Sequence, residues 1–431
     1  MDAWALELRA RRCVIISVMP RSAALRPRVC TLFALVAGCA GHRAGVQMEA
    51  PVVSSVDDAE PTSERAAAGE EKSGDSPLVG EKLLRAAESA LAGDEPARAV
   101  ALFARYLAGQ PAPDSARQAY LGLSRSHEAL RDCAAAIRTY DAYLERFPEG
   151  DGLVQVYARR GACHAELEQW QRSATSYQQA RAIAADALPS VRVELAAREG
   201  FARFQLGDLE GAEKLLKEAD AIFVAAQEAG SERFTTYYFV GMSRFYLGAI
   251  LHRGFRDVEI RLPEKTMAED FARKFEFLSK AQEAYNYTIK AKHMYWVSAA
   301  GYQLGSLFEE FYDALMYAPV PEWLDDKQRQ VYYEELKNQL RPVVNKAIWV
   351  FEKNLETARG LGYDSEFIDR TESKLAELQG ILLAGDTAWG RPHPRLVPEA
   401  REIATLPSAA KSEELPAAVD RKLFVPVPSP L

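Results

Sequence analysis

The sequence predicts an all-α fold, a right-handed superhelical solenoid of paired helices, and two observations support that prediction. Between about residues 78 and 385, apolar residues recur at helical spacing, and no stretch shows the sustained alternation that is typical of a half-buried strand. The same region repeats itself with a period of 37 to 39 residues. Such repeats are typical of arrays in which each helix pair buries its apolar face against the next pair.

Four segments carry the repeated pattern, in which small residues alternate with large apolar residues. The first two contain Ala99, Phe103, Tyr106, Leu107, Pro111 and Ala136, Tyr140, Tyr143, Leu144, Pro148. The next two contain Ser173, Tyr177, Ala180 and Gly200, Gly207, Ala212, Leu216, Ala219. Small residues let helix axes approach closely, and a proline cannot continue a helix. The pattern therefore predicts tightly packed helix pairs over residues 78–230.

These segments resemble the tetratricopeptide repeat (TPR), in particular the longer-period repeats of periplasmic lipoproteins of outer-membrane assembly and envelope maintenance. Residues 140–148 and 207–212 carry the resemblance. It implies that Gly161 and Gly200 lie where helix A of a pair packs against helix B. It also implies that small residues of helix B fill the same contact, namely Ala99, Ala136 and Ala212.

Residues 231–385 form a second region, in which aromatic residues are concentrated. More than half of the aromatic residues of the chain lie between Phe234 and Phe351. Two stretched helix pairs can be drawn, one from Gly248 to Tyr285 and one from Gly305 to Phe351. Large aromatics supply the wide contacts that longer helices need, but they would also suit a ligand groove or a partner site.

The C-terminal half also resembles the corresponding part of TPR lipoproteins from gliding myxobacteria, over about residues 280–380. Residues 295–305, 317–321 and 341–347 carry this likeness. The resemblance implies a scaffold of the cell envelope, for instance in a motility complex, and no chemistry.

Near the N-terminus, residues 36–39 (Val-Ala-Gly-Cys) resemble a lipobox, the cleavage and lipidation signal of bacterial lipoproteins. Three arginines and the apolar run 29–35 precede it, in the order typical of a secretory signal. We expect a signal peptide over residues 1–38, starting at Met1 or Met19, and acyl chains such as palmitate on Cys39. The alternative is a short buried helix in a cytoplasmic chain.

The segments on either side of the predicted helices have the composition of disordered chain. Residues 39–77 are rich in Ala, Ser, Glu and Gly, and residues 386–431 are rich in proline. Neither has enough apolar residues to offset the entropy of ordering. We expect a flexible tether after Cys39 and a mostly disordered tail.

The overall charge and the cysteines limit the possible partners. A net charge of −8 disfavours nucleic acid and anionic lipid as partners, so membrane attachment should come from the acyl chains on Cys39. Outside the N-terminal region the chain has two cysteines, Cys133 and Cys163, on consecutive predicted helices. They fit either a disulfide or two inert buried thiols.

Patterns that indicate catalysis are few. The sequence has no Gly-rich phosphate loop and no Gly-x-Ser-x-Gly elbow. His252 and His293 have no carboxylate or second histidine three or four residues away, while His127 and His164 fit half-buried packing positions.

Two acid pairs, Glu309–Glu310 and Asp325–Asp326, are the remaining candidates for chemistry. A glycosidase would need its two carboxylates across a cleft, which sequence cannot show. We therefore expect no enzyme, no cofactor and no metal site, and we keep a peptidoglycan-acting or peptidoglycan-binding protein as an alternative.

A partner-binding surface follows from the repeat geometry, because stacked helix pairs line a concave face with helix A. In the repeat register that face carries Gln118, Arg125, Glu128, Gln155, Glu166, Glu194, Phe201 and Gln205. Such a polar, acidic face suits an extended peptide or a partner's basic segment, although an ordinary solvated face fits equally well.

These observations together predict a lipid-anchored, non-catalytic scaffold at the outer membrane, with its body in the periplasm. Its partners would be proteins or peptides of an envelope assembly, maintenance or motility complex. A cytoplasmic TPR adaptor is the alternative if the lipobox is not used.

Overall fold

In the computed structural model, residues 80–150 and 152–383 are described, and their regular elements are thirteen α-helices. The first eight are α1 (Glu81–Ala92), α2 (Pro96–Ala108), α3 (Pro113–Ala129), α4 (Cys133–Arg146), α5 (Leu153–Glu166), α6 (Trp170–Ala182), α7 (Pro189–Gln205) and α8 (Leu209–Ala229). The remaining five are α9 (Tyr238–Asp257), α10 (Glu264–Ile289), α11 (Met294–Met316), α12 (Asp326–Gly360) and α13 (Glu366–Leu383).

The helices form six consecutive pairs, followed by α13. Each helix packs against the next, and several odd-numbered helices also contact each other, namely α1 with α3, α7 with α9, α9 with α11, and α11 with α13. The odd-numbered helices are therefore the A helices of the pairs, and the even-numbered helices are the B helices. This arrangement confirms the predicted all-α solenoid of TPR-like helix pairs.

Glycines lie where helix A approaches helix B most closely. A Cβ atom added to Gly161 would lie 3.0 Å from the ring of Tyr177, and one added to Gly200 would lie 2.9 Å from Leu216. Both places are those that the repeat register predicts. The fifth and sixth pairs use the same device, since Gly248 faces Tyr285 and Gly305 faces Phe351.

The turns between helix A and helix B are built alike in the first four pairs. One residue of each turn has a left-handed backbone, with φ of 61° at Asp94, 57° at Arg131, 56° at Glu168 and 79° at Gly207. This conformation ends a helix and turns the chain toward the next one. In two turns the following aspartate caps helix B, because Asp132 accepts a hydrogen bond from the Ala135 N–H and Asp208 accepts one from the Gly211 N–H.

The helices of the C-terminal half are longer, and aromatic side chains fill the space between them. Helix α10 has 26 residues and α12 has 35. Seven of the largest fully buried side chains lie in this half, namely Phe245, Tyr246, Phe255, Phe271, Tyr285, Trp296 and Phe311. Of the two interpretations of these aromatics, the structure therefore supports core packing.

Several predictions concern residues outside the described ranges. These are the signal peptide, the acylation of Cys39, the tether over 39–77 and the tail over 386–431. Within residues 80–150 and 152–383, we find no helix with the length and apolar character needed to cross a bilayer.

Candidate partner-binding surface

The eight residues predicted for the concave face lie on three successive A helices. They divide between α3 (Gln118, Arg125, Glu128), α5 (Gln155, Glu166) and α7 (Glu194, Phe201, Gln205). Six of them are at least partly exposed, whereas Glu128 and Phe201 are each only 1% exposed. The accessible surface therefore consists of the six other residues, and Glu128 and Phe201 belong to the interior beneath it.

Phe201 is buried because aromatic rings from two other helices pack against it. Its ring centroid lies 5.5 Å from that of Trp170 on α6 and 4.7 Å from that of Tyr246 on α9. Ring pairs at these distances add to the stability gained by burial alone. Phe201 therefore joins the fourth helix pair to its neighbours on both sides.

Glu128 is the centre of a buried polar cluster. The Tyr140 hydroxyl donates a hydrogen bond of 2.7 Å to one carboxylate oxygen, and the Arg159 guanidinium forms an ion pair with the other. The Cys163 sulfur lies 3.8 Å from the first oxygen. Burial raises the pKa of Glu128, although the positive charge of Arg159 opposes that rise. The cluster connects α3, α4 and α5, so it stabilises the junction of the second and third pairs.

The accessible part of the surface has polar contacts between neighbouring A helices. The Gln118 amide donates to the Glu88 carboxylate and so connects α3 to α1. The Arg125 guanidinium donates to the Gln155 side-chain oxygen at 3.4 Å and so connects α3 to α5.

Arg125 is the half-buried cation of this surface. Among the described residues its guanidinium forms no ion pair with a carboxylate, and Glu128, three positions along α3, is paired with Arg159 instead. Burial lowers the pKa of Arg125, and the nearby charge of Arg159 lowers it further. Within residues 80–150 and 152–383 the Arg125 side chain donates one long hydrogen bond, to Gln155, which leaves other guanidinium N–H groups available to an incoming acceptor.

The A helices of the C-terminal half have a second charged cluster, which the sequence did not indicate. Arg256 on α9 donates two hydrogen bonds, of 2.7 and 2.6 Å, to the Glu310 carboxylate on α11. His252 lies one turn before Arg256, with one ring nitrogen 3.2 Å from Glu310 and the other 3.2 Å from the Tyr285 hydroxyl. A separation of 54 residues between Arg256 and Glu310 explains why local spacing could not reveal the pair.

Each acid of the Glu309–Glu310 pair has its own cation. Lys374 of α13 donates to Glu309 at 2.9 Å, while Arg256 and His252 hold Glu310. Burial raises the pKa of Glu309. Burial acts in the same direction on Glu310, but the hydrogen bonds and electrostatic interactions with His252 and Arg256 outweigh it and leave the pKa of Glu310 low. These contacts connect three successive A helices and account for both carboxylates.

Histidines and acids elsewhere in the described ranges form no metal-binding cluster of three or more His, Cys, Asp or Glu side chains. His164 is buried and its ring lies 2.9 Å from the Gln169 side-chain oxygen, as fits a packing position. Asp325 caps the N-terminus of α12 by accepting a hydrogen bond from the Gln328 N–H.

No protein-family model matches the sequence of this protein. A stretch of 115 residues, 27% of the chain, is 35% identical to a UPF0102 protein from Methylorubrum populi and spans 86% of that protein. Over that stretch the chain belongs to the UPF0102 family. The family name states no activity, and nearly three-quarters of the chain lies outside the match, so this similarity assigns no function to the solenoid.

Solved structures similar to the chain include MamA, with 17% identity over 54% of this chain and 97% of that chain and a TM-score of 0.32. The C-terminal part of a TPR repeat-containing protein from Cytophaga hutchinsonii is 12% identical over 71% and 97%, with a TM-score of 0.38. A TPR protein from Parabacteroides merdae is 12% identical over 69% and 98%, with a TM-score of 0.32. At such low scores the fold assignment rests on the helix pairs of the chain itself.

Proposed function

We propose that this protein is a non-catalytic scaffold that binds other proteins of the bacterial cell envelope. The observation that carries the proposal is the row of A helices α3, α5 and α7, with partly exposed polar side chains above a rigid interior. In a solenoid such a row forms an extended surface, which suits an extended segment of a partner better than a small molecule. The half-buried Arg125 gives this surface a point of specific recognition.

The proposed location is the periplasmic face of the outer membrane, with attachment through acyl chains on Cys39. The lipobox-like residues 36–39 and the preceding apolar run support this location. The resemblance of the repeats to those of envelope lipoproteins supports a role in an assembly, maintenance or motility complex. Several acyl chains on one residue anchor a protein stably, so no further membrane contact is needed.

Lipid attachment can be tested with cells grown on a radioactive fatty acid. Wild-type protein should carry the label and fractionate with membranes, and Cys39→Ala should lose both properties because the acylated thiol is gone. Cys30→Ala, nine residues upstream within the apolar run, is the matched control and should keep both. A Cys39→Ala protein that stays in the membrane fraction without label would contradict lipid anchoring.

The binding surface can be tested by charge reversal at Arg125. Partners are captured by cross-linking and pull-down of the mature protein. We expect Arg125→Glu to reduce the yield of cross-linked partner at least tenfold, because arginine is a frequent hot spot of protein interfaces. A tenfold change corresponds to about 1.4 kcal/mol of binding free energy. Arg138→Glu, on the exposed side of α4, changes the charge equally and should leave the yield unchanged.

Two outcomes would reject these proposals. Equal capture by wild type and Arg125→Glu would remove Arg125 from the binding surface. Recovery of peptidoglycan with no protein partner would replace the scaffold by a peptidoglycan-binding function.

A further inference from the structure

The two cysteines of the described ranges lie together in the core at the junction of the second and third helix pairs. Cys133 is the first residue of α4, and Cys163 lies in the last third of α5. Both belong to one hydrophobic cluster, which also contains Tyr140 and Val156. Their exposed fractions are 2% and 0%, and both are free thiols in the structure.

The surroundings of Cys163 disfavour reactive chemistry at its thiol. The interaction of Cys163 with the Cys133 thiol raises the pKa of Cys163, and burial and the charge of Glu128 raise it further. The thiolate is the form that acts as nucleophile or metal ligand, and at Cys163 it is suppressed. What remains for the pair is either packing or a bond between the two sulfurs.

We propose that Cys133 and Cys163 form a disulfide bond in the exported protein. This inference rests on the envelope location proposed above, because disulfides persist in the periplasm and are rare in the cytoplasm. Both thiols belong to the same buried cluster, and the helices that carry them, α4 and α5, are consecutive and packed against each other, so the fold brings the two cysteines into one part of the core. The bond would connect the second helix pair to the third beside the Glu128 cluster.

Formation of the disulfide requires an oxidant, either a thiol–disulfide oxidoreductase or another disulfide. A thiolate of one cysteine attacks the disulfide of the oxidant and forms a mixed disulfide, and the second cysteine then displaces the reduced oxidant. Two protons and two electrons leave the cysteine pair, and the oxidant gains them as a dithiol. Because both thiols are buried in the fold, exchange must take place before α4 and α5 have packed together, during folding after export.

The bond is expected to stabilise the solenoid mainly by restricting the unfolded chain. Cross-linking positions 133 and 163 removes loop-closure entropy from the unfolded state, as for other loops of about 30 residues. In a solenoid the stability of the array depends on each interface between neighbouring repeats. A covalent link at this interface should therefore raise the unfolding temperature.

Alkylation of protein extracted from membranes tests the proposal directly. Wild-type protein that carries the fatty-acid label is denatured and treated with iodoacetamide, with and without prior reduction, and peptides are analysed by mass spectrometry. We expect Cys133 and Cys163 to be alkylated only after reduction. In Cys133→Ser, the unpaired Cys163 should be alkylated without reduction. Reductant should lower the unfolding temperature of wild type and leave that of Cys133→Ala/Cys163→Ala unchanged.

The outcomes separate this inference from the proposed function. Labelled protein with both cysteines alkylated before reduction would overturn the disulfide and leave the envelope location standing. Unlabelled protein with a bridged pair would overturn lipidation and leave the disulfide standing. If neither the fatty-acid label nor the disulfide is found, the purified chain is refolded with oxidised glutathione. Failure to form the Cys133–Cys163 disulfide under these oxidising conditions would overturn the proposed bond.

Discussion

Replacing Arg159 by methionine is expected to lower the free energy of unfolding by about 3–5 kcal/mol, which is the usual effect of removing one partner of a buried ion pair. The side chains of Arg159 and Glu128 are 4% and 0% exposed. Methionine fills much of the same volume but leaves the Glu128 carboxylate without its counter-charge. The hydrogen bond from Tyr140 is then its main remaining support, which does not offset the loss of solvation. Urea denaturation followed by circular dichroism measures the change.

The pH dependence of the Arg159→Met variant gives a second check. A carboxyl group whose folded pKa is raised favours the folded state at low pH and opposes it as the pH rises through the unfolded value. Burial already raises the pKa of Glu128, and removal of Arg159 should raise it further. The stability difference between variant and wild type should therefore shrink as the pH is lowered from 7 toward 5.

Arg160→Met is the control for the Arg159 prediction. Arg160 is the next residue of α5, and its ion pair with Asp141 at 3.0 Å involves a carboxylate that is 56% exposed. Arg160 also donates to the Ser176 hydroxyl at 3.2 Å and to the Gln179 side-chain oxygen at 2.8 Å. Because no buried carboxylate loses its counter-charge, this variant should lose less than Arg159→Met, about 1–2 kcal/mol. Equal losses at positions 159 and 160 would mean that the Glu128 cluster is not the stabilising feature of this junction.

The repeat pattern allowed the helix pairs to be predicted because each repeat solves the same packing problem. Gly161 and Gly200 were correctly placed at the contact between helix A and helix B, since only a small residue allows the approach of Tyr177 and Leu216. That information lies within one repeat, where the contacting residues are 16 positions apart.

The polar clusters could not be predicted, because their partners come from different repeats. Helical register placed Glu128 correctly on an A helix but could not show that Arg159, 31 residues away, covers it. His252 likewise has no acid on its own helix face, and Glu310 comes from 58 residues away. A single sequence gives the face of a helix on which a side chain lies, whereas burial depends on the neighbouring helix.

Replacing Gly305 by alanine is expected to destabilise the protein by about 2–3 kcal/mol, even though alanine is the better helix former. A Cβ atom at position 305 would lie 2.2 Å from a ring carbon of Phe351, far inside van der Waals contact. The Phe351 ring is fully buried and packs against Tyr302, so it cannot rotate away freely. Helix α11 must therefore move away from α12, which loosens the sixth pair.

Gly360 provides the control for the Gly305 prediction. It is the last residue of α12, and no atom lies within 4 Å of an added Cβ, so Gly360→Ala should be neutral or stabilise by up to about 1 kcal/mol. Thermal and urea unfolding of both variants test the difference.

A double variant separates the steric clash from a general intolerance of substitution at position 305. Phe351→Leu alone should destabilise by leaving a cavity between α11 and α12. Combined with Gly305→Ala it should lose less than the sum of the two single changes, because the smaller side chain makes room for the new methyl group. A coupling of at least about 1 kcal/mol in that direction identifies the contact between helix A and helix B as the cause. Strictly additive losses would show instead that Gly305 acts through the backbone of α11. The close packing of the sixth pair would then not require a glycine at position 305.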